Sequence, residues 1–159
     1  MKALIFCLML LAGAAAFAQD APPTLNAPSD RPKAMETDAA YAAYERATAP
    51  YIAEARRSYP DAKHRFLSGQ LATSPFFVTI RLSEDGRYED VFVRVLVIDE
   101  KTGDISGKIA NEIQSLRKYQ NGQRIITHEA DIRDWTIVNP DGTEEGNVVG
   151  KFLEHYQSQ

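Results

Sequence analysis

Residues 76–98, FFVTIRLSEDGRYEDVFVRVLVI, contain two strand-like runs joined by a turn. In the first run, residues 76–82, apolar side chains alternate with Thr79 and Arg81, which is typical of a strand with one buried face. The turn, residues 83–86 (SEDG), ends in Asp-Gly, a favoured hairpin connection. The second run, residues 88–98, is apolar on both faces in its second half, which indicates a central strand. These runs predict an antiparallel hairpin at the centre of the fold.

Downstream of this hairpin, the pattern remains mostly that of strands. We predict further strands at residues 105–110, 123–128 and 132–138, with turns at residues 99–104, 121–122 and 139–142. Ile113 and Leu116 lie three residues apart within 111–118, which favours a short helical turn there. Residues 147–156 carry apolar side chains at helical spacing and predict a last helix.

Upstream, the sequence predicts a helical segment. Ala40, Tyr44, Ala47 and Tyr51 form an apolar stripe within residues 36–58. Pro50 is expected to bend or split this helix. Residues 58–61 (SYPD) predict a stop and a restart, followed by a short second helix that ends near Gly69. The fold class is therefore α+β: an N-terminal helical segment packed on a bent antiparallel sheet of about five strands, with a short C-terminal helix.

The first 34 residues indicate export. Lys2, the apolar run 3–11 and the Ala16-Phe17-Ala18 cleavage signature predict a signal peptide over residues 1–18, cleaved after Ala18. We expect a periplasmic or secreted protein that does not insert into a membrane after cleavage. Residues 19–34 hold four prolines and predict an extended linker.

Composition and motifs exclude several function classes. The 159 residues carry a net charge of −4, which argues against a nucleic-acid partner. The one cysteine, Cys7, lies in the predicted signal peptide, so thiol chemistry is not expected. The sequence contains no Walker A, dinucleotide-binding, G-x-S-x-G or H-E-x-x-H motif, although His128-Glu129 resembles the first half of the last. We predict no metal site and no cofactor.

Four residues form the acid–base pool that an enzyme could use here: Glu89, Glu112, His128 and Asp134. Ligand or partner binding is assigned to Asn111, Glu112, Asp134 and Trp135. Each has a structural alternative. Trp135 anchors the core, the Asn111-Glu112 step caps a helical turn, and Asp134 either pairs with Arg124 or Arg133 or ties down a loop.

Several of these residues carry a resemblance to a known family. The segments EDVFV (89–93), GKIANE (107–112), NGQ (121–123) and IRDW (132–135) are similar to the YegJ-like family of bacterial domains of unknown function, as is AEARR (53–57) in the preceding helix. The resemblance implies a small, often exported α+β domain over residues 35–157 and no assigned activity. The chain departs from the family pattern at Asp90 and Phe92, and again at residues 146–148.

Two functional hypotheses follow. In the first, the chain is a non-enzymatic envelope protein, for example immunity- or inhibitor-like, which binds an envelope protein or a small ligand as a monomer. In the second, it is a small cell-envelope hydrolase. The second requires at least two of the four acid–base residues to face one cavity.

Overall fold

The hairpin predicted at residues 76–98 is the centre of the fold in the computed structural model, which describes Pro28, residues 34–35 and residues 38–157. The predicted signal peptide, and all of the predicted linker except Pro28 and Ala34, lie outside the described residues. Strand β2 (Phe76–Glu84) and strand β3 (Arg87–Ile98) are joined by Asp85 and Gly86 alone, and Glu84 pairs with Arg87. Both turn residues have positive φ, 50° and 76°, as a type I′ turn requires.

The other elements follow in chain order around this hairpin. They are β1 (Ala34–Met35), α1 (Asp38–Leu67), β4 (Asp104–Ile109), β5 (Arg124–His128), a 3₁₀ turn (Glu129–Asp131), β6 (Asp134–Val138), β7 (Glu144–Gly146) and α2 (Val148–Gln157). All strand pairs are antiparallel, in the order β5-β4-β3-β2-β6-β7, with β1 added to β3. The α+β prediction is confirmed. The described residues form seven strands rather than about five, because the two- and three-residue strands β1 and β7 carry no alternation signal of their own.

The pairing register assigns the side chains to two faces. Val78 lies opposite Val93 and Trp135, and these residues belong to the main core cluster on what we call the first face. Thr79 lies opposite Phe92 and Asp134 on the second face. A smaller apolar cluster of Phe77, Phe92, Ala110 and Val138 is buried apart from the main core.

Helix α1 is continuous, so the prediction of a stop and a second helix at residues 58–61 was wrong. The helix contains both Pro50 and Pro60. Each proline removes one main-chain hydrogen bond. However, Tyr59 and Ala62 on either side of Pro60 are buried in the core cluster. Burial of this helix face outweighs the loss of the bond.

The prediction of a helical turn at residues 111–118 was also wrong. The segment is a loop whose amide groups are bound by two carboxylates of the hairpin. Glu89 accepts from the amides of Gln114 and Ser115, and Glu84 from those of Arg117 and Lys118. Amides that bond to side chains in this way do not form the ladder of a helix.

Candidate functional site

Glu89, the first of the predicted acid–base residues, is a buried structural anchor on the first face. Its side chain is fully buried. One oxygen accepts the amide of Gln114 at 2.8 Å; the other accepts the amide and the hydroxyl of Ser115 at 2.8 and 2.9 Å. Three donors satisfy the carboxylate, which holds the 111–118 loop against the hairpin.

Asp134 lies on the opposite face and holds the start of helix α2. Its Oδ1 accepts the amides of Trp135 and Val148 at 2.8 and 3.2 Å, and its Oδ2 accepts that of Val149 at 2.7 Å. Burial raises the pKa of this carboxyl to about 6, because desolvation outweighs the amide hydrogen bonds that favour the charged form. Among the described residues, Asp134 forms no ion pair with Arg124 or Arg133, and it holds the first turn of helix α2 rather than a loop.

The raised pKa predicts a pH dependence of stability. The folded protein binds the Asp134 proton more tightly than the unfolded chain, so the stability that protonation supplies is lost as the pH rises through about 6. Between pH 7 and pH 5, wild type should gain about 1 kcal/mol relative to Asp134→Asn. Urea unfolding of both proteins at each pH measures this difference, in which the other titrating groups cancel. A constant difference would contradict the prediction.

The remaining predicted residues have separate contacts. His128 Nδ1 accepts the amide of Ala130 at 3.0 Å, so its Nε2 carries the proton and donates to the carbonyl of Thr102 at 3.0 Å. Glu112 is exposed and accepts from Asn121 at 2.8 Å. The structure thus does not bring the four acid–base residues together, and Glu89 and Asp134 face opposite sides of the sheet.

Trp135 and Asn111 have structural contacts as well. The Trp135 indole is buried in the core and donates to the Ala55 carbonyl at 3.1 Å and to Ser58 Oγ at 3.0 Å. The Asn111 oxygen accepts the amide of Phe92 at 2.8 Å. The predicted role of Trp135 as a core anchor is confirmed, whereas Asn111 holds strand β3 rather than capping a helical turn.

A groove of about 600 Å³, which we call the edge groove, lies beside several charged side chains. Its walls include Ile80, Arg81 and Leu82 of β2 and Ile125, Ile126 and Thr127 of β5. Successive side chains of a strand point to opposite faces, so three consecutive residues border one cavity only along the edge of a strand. The edge groove therefore lies between two strand edges. None of the four predicted acid–base residues lines it.

Three arginines line the edge groove: Arg56, Arg81 and Arg133. Arg56 donates from Nε to the carbonyl of Ile132 at 2.7 Å and from Nη2 to that of Ala130 at 3.1 Å. Its Nη1 has no hydrogen-bond partner among the residues that the structure describes. Arg56 is therefore held in place by main-chain carbonyls while part of its guanidinium remains available.

Arg81 and Arg133 belong to a compact charged group, the arginine cluster, completed by Asp90, Glu45 and Tyr44. Arg81 binds Asp90 through Nε and Nη2, at 2.7 and 3.0 Å, while Nη1 binds Glu45 at 2.5 Å. Arg133 binds Asp90 at 3.3 Å and Glu45 at 2.5 and 3.3 Å. Two cations and two anions are thus interlocked across α1, β2, β3 and the residue before β6.

The surroundings shift the pKa values of Glu45 and Tyr44 in opposite directions. Burial opposes ionisation of Glu45, but hydrogen bonds from Arg133 and Arg81 outweigh it and lower the pKa of Glu45. Burial, followed by the charge of Asp90, raises the pKa of Tyr44 far above its usual range. The Tyr44 hydroxyl therefore stays protonated and donates to Asp90 at 2.8 Å.

Sequence reasoning missed the arginine cluster, although one signal for it was present. The two-residue turn sets the register of the hairpin, and that register places Arg81 directly opposite Asp90. Opposite charges that face each other across a strand pair predict an ion pair. The positions of Arg56 and Arg133 depend on how distant parts of the chain pack, which no local pattern reveals.

What the groove can do chemically follows from its lining. Guanidinium groups bind carboxylates and carbonyl oxygens, and the neighbouring isoleucines and Leu82 offer apolar contact. In the described part of the chain, no group of three or more His, Cys, Asp and Glu side chains could hold a metal ion. The helices in this part lack the length and apolarity that crossing a membrane requires.

Comparison with known proteins gives one match. The family model described as "Uncharacterized protein conserved in bacteria (DUF2314)" matches residues 39–158. No curated protein and no solved structure shows a significant similarity to the chain.

Proposed function

The chain belongs to the DUF2314 family of uncharacterized proteins conserved in bacteria, and from this premise we propose that it is a non-enzymatic binding module of the cell envelope. Its ligand is an extended polypeptide segment held in the edge groove. An immunity- or inhibitor-like role, in which the bound segment belongs to another protein, is one concrete form. The observation that carries the proposal is the position of the groove between two strand edges.

The edge of β2 supports a polypeptide ligand. Val138 donates its amide to the carbonyl of Pro75 at 3.1 Å, and alternate residues of β2 continue this pairing with β6 as far as Thr79. Strand β6 begins at Asp134, opposite Thr79, so Arg81 continues the same edge of β2 with no strand beside it. An extended chain that lies in the groove meets this main-chain edge as well as the side chains.

The charge of the groove supports a ligand with acidic groups. Arg56 is held through two of its donors and presents the rest of its guanidinium. The groove also contains one acidic residue, Asp131. Its carboxylate accepts the amide of His128 at 3.4 Å, so this negative charge has a partner within the chain. A carboxylate of the bound segment near Arg56 would form a charge-assisted hydrogen bond at a partly enclosed site.

A hydrolase is not favoured by the same geometry. The described lining residues include the hydroxyls of Thr127 and Tyr119, but no histidine that could serve either as a base. The YegJ-like resemblance, the signal peptide and the export of the chain stay predictions, and they support an envelope location for the binding module.

Blocking the groove tests the proposal. A displayed library of random twelve-residue peptides is selected on the purified protein, and enriched peptides are measured against two variants. Thr127→Trp places a large side chain in the groove from its β5 wall. It should weaken binding about tenfold or more, because the indole occupies space that the ligand needs. Thr73→Trp makes the same change at an exposed position between α1 and β2, outside the groove lining. It is the matched control and should bind as wild type does.

Circular dichroism and urea unfolding establish that both variants are folded. If no peptide enriches, or if every enriched peptide binds Thr127→Trp as tightly as wild type, the groove is not the binding site.

A further inference from the structure

A row of three cations crosses the second face of the sheet. Arg94 of β3 pairs with Lys108 of β4, which pairs with Arg124 of β5. All three side chains are exposed, and none forms an ion pair or a side-chain hydrogen bond among the described residues. Like charges directly opposite one another destabilise a sheet. The row therefore needs an explanation other than the stability of this chain.

A second row, which we call the apolar row because both of its end residues are aliphatic, runs beside the cations. Val97 pairs with Ser106, which pairs with Ile126. Val97 is 59% exposed and Ile126 is 74% exposed, whereas the described core residues are nearly inaccessible. The cationic row and the apolar row both end at strand β5.

Strand β5 forms an open edge at which both rows stop. In the described sheet it pairs with β4 alone. Ile109 donates to the carbonyl of Gln123 at 3.0 Å and Glu129 to that of Gly103 at 2.9 Å, so the odd-numbered residues of this segment pair toward β4. The amide and carbonyl groups of Arg124 and Ile126 consequently point away from the sheet.

We propose that the bound segment adds as an antiparallel strand to β5, with an acidic residue opposite Arg124 and an aliphatic residue, two positions earlier, opposite Ile126. This inference rests on the proposed function and names the class of segment that the groove takes. Antiparallel pairing matches every other pair in the sheet. The added acidic side chain extends the row beyond Arg124 and neutralises the positive charge of that residue.

The open main chain identifies the partner as a polypeptide. Alternating amide and carbonyl groups along an edge are satisfied by another extended backbone. Phospholipid headgroups or a nucleic acid could neutralise the cations, but they offer no matching series of donors and acceptors. The unpaired edge and the two side-chain rows therefore favour the same partner.

A charge exchange tests the side-chain part of the proposal. Two labelled peptides, TVTETVT and TVTKTVT, are compared by fluorescence anisotropy. Wild type should bind the glutamate peptide at least about fivefold more tightly than the lysine peptide, and Arg124→Glu should reverse this preference. Arg57→Glu, which reverses an exposed cation on α1, is the matched control and should retain the wild-type preference.

A second pair of variants tests the main-chain part. Ile126→Ala removes the aliphatic side chain, while Ile126→Pro also removes the outward-pointing amide and leaves the bonds to β4 in place. The proline variant should bind TVTETVT several-fold more weakly than the alanine variant. Equal binding by the two would mean that no strand is added.

Other outcomes separate this inference from the proposed function. Library peptides that are lost in Thr127→Trp but unaffected by Arg124→Glu would overturn the strand addition and leave the groove as the binding site. Binding of anionic phospholipid vesicles or of single-stranded RNA through the cationic row, with no binding of either peptide, would overturn it in favour of another partner. Self-association of Arg124→Ala with unchanged peptide binding would mean that the cations only protect the edge.

Discussion

Asp90→Asn is expected to lower the free energy of unfolding by about 3 to 5 kcal/mol, because it leaves two largely buried guanidiniums with one anion between them. The side chains of Arg81 and Arg133 are each 11% exposed, and that of Asp90 is 5% exposed. In this setting the charge that remains unpaired is not solvated by water. Urea unfolding monitored by circular dichroism measures the loss.

The neighbouring carboxylate provides the control for this prediction. Glu45 binds the same two arginines, but its side chain is 32% exposed, so water partly solvates the guanidinium atoms that its removal leaves unpaired. Glu45→Gln should therefore lower the stability less than Asp90→Asn does, by about 1 to 2 kcal/mol. If Asp90→Asn and Glu45→Gln have equal effects, burial does not decide the energetics of the arginine cluster.

Glu89→Gln is expected to destabilise the protein by about 3 kcal/mol, since an amide nitrogen replaces one of two oxygens that together accept three hydrogen bonds. The change leaves at least one donor of Gln114 or Ser115 without an acceptor in a buried site. It should also loosen the 111–118 loop. The next residue in the chain, Tyr119, lines the edge groove.

Hydrogen exchange separates the local effect from the global one. The amides of Gln114 and Ser115 should lose protection in Glu89→Gln more than those of the hairpin do. Glu112→Gln, an exposed carboxylate of the same loop, should change stability by less than about 0.5 kcal/mol. Unchanged protection at Gln114 and Ser115 would show that the carboxylate does not hold the loop.

The hairpin was predictable because its information is local. Alternation assigns the faces of β2, the Asp-Gly step selects a two-residue turn, and together they predict the register that puts Arg81 opposite Asp90. The predicted strands after the hairpin and the last helix were located within a few residues for the same reason. Apolar spacing carries the signal wherever an element is long enough to show a period.

The remaining features depend on contacts between distant residues. Pro60 does not end α1, because Tyr59 and Ala62 pack on strands more than ten residues away. The sequence placed Glu84 in a turn and made Glu89 a candidate acid. Both side chains instead bind amides of a segment about 25 to 34 residues later. The edge groove is likewise formed by two strands with two others between them in the sheet order.

The hairpin turn has a further consequence for where the chain tolerates change in length. Loop tips are usually permissive sites for insertions. At Asp85-Gly86, one added residue would either form a bulge or shift β2 against β3. The shift would move the Asp90 side chain to the other face of the sheet, away from Arg81. The number of residues in this exposed turn thus determines whether Arg81 keeps its ion pair in the wall of the groove. The length of the turn is therefore constrained, even though its residues are exposed.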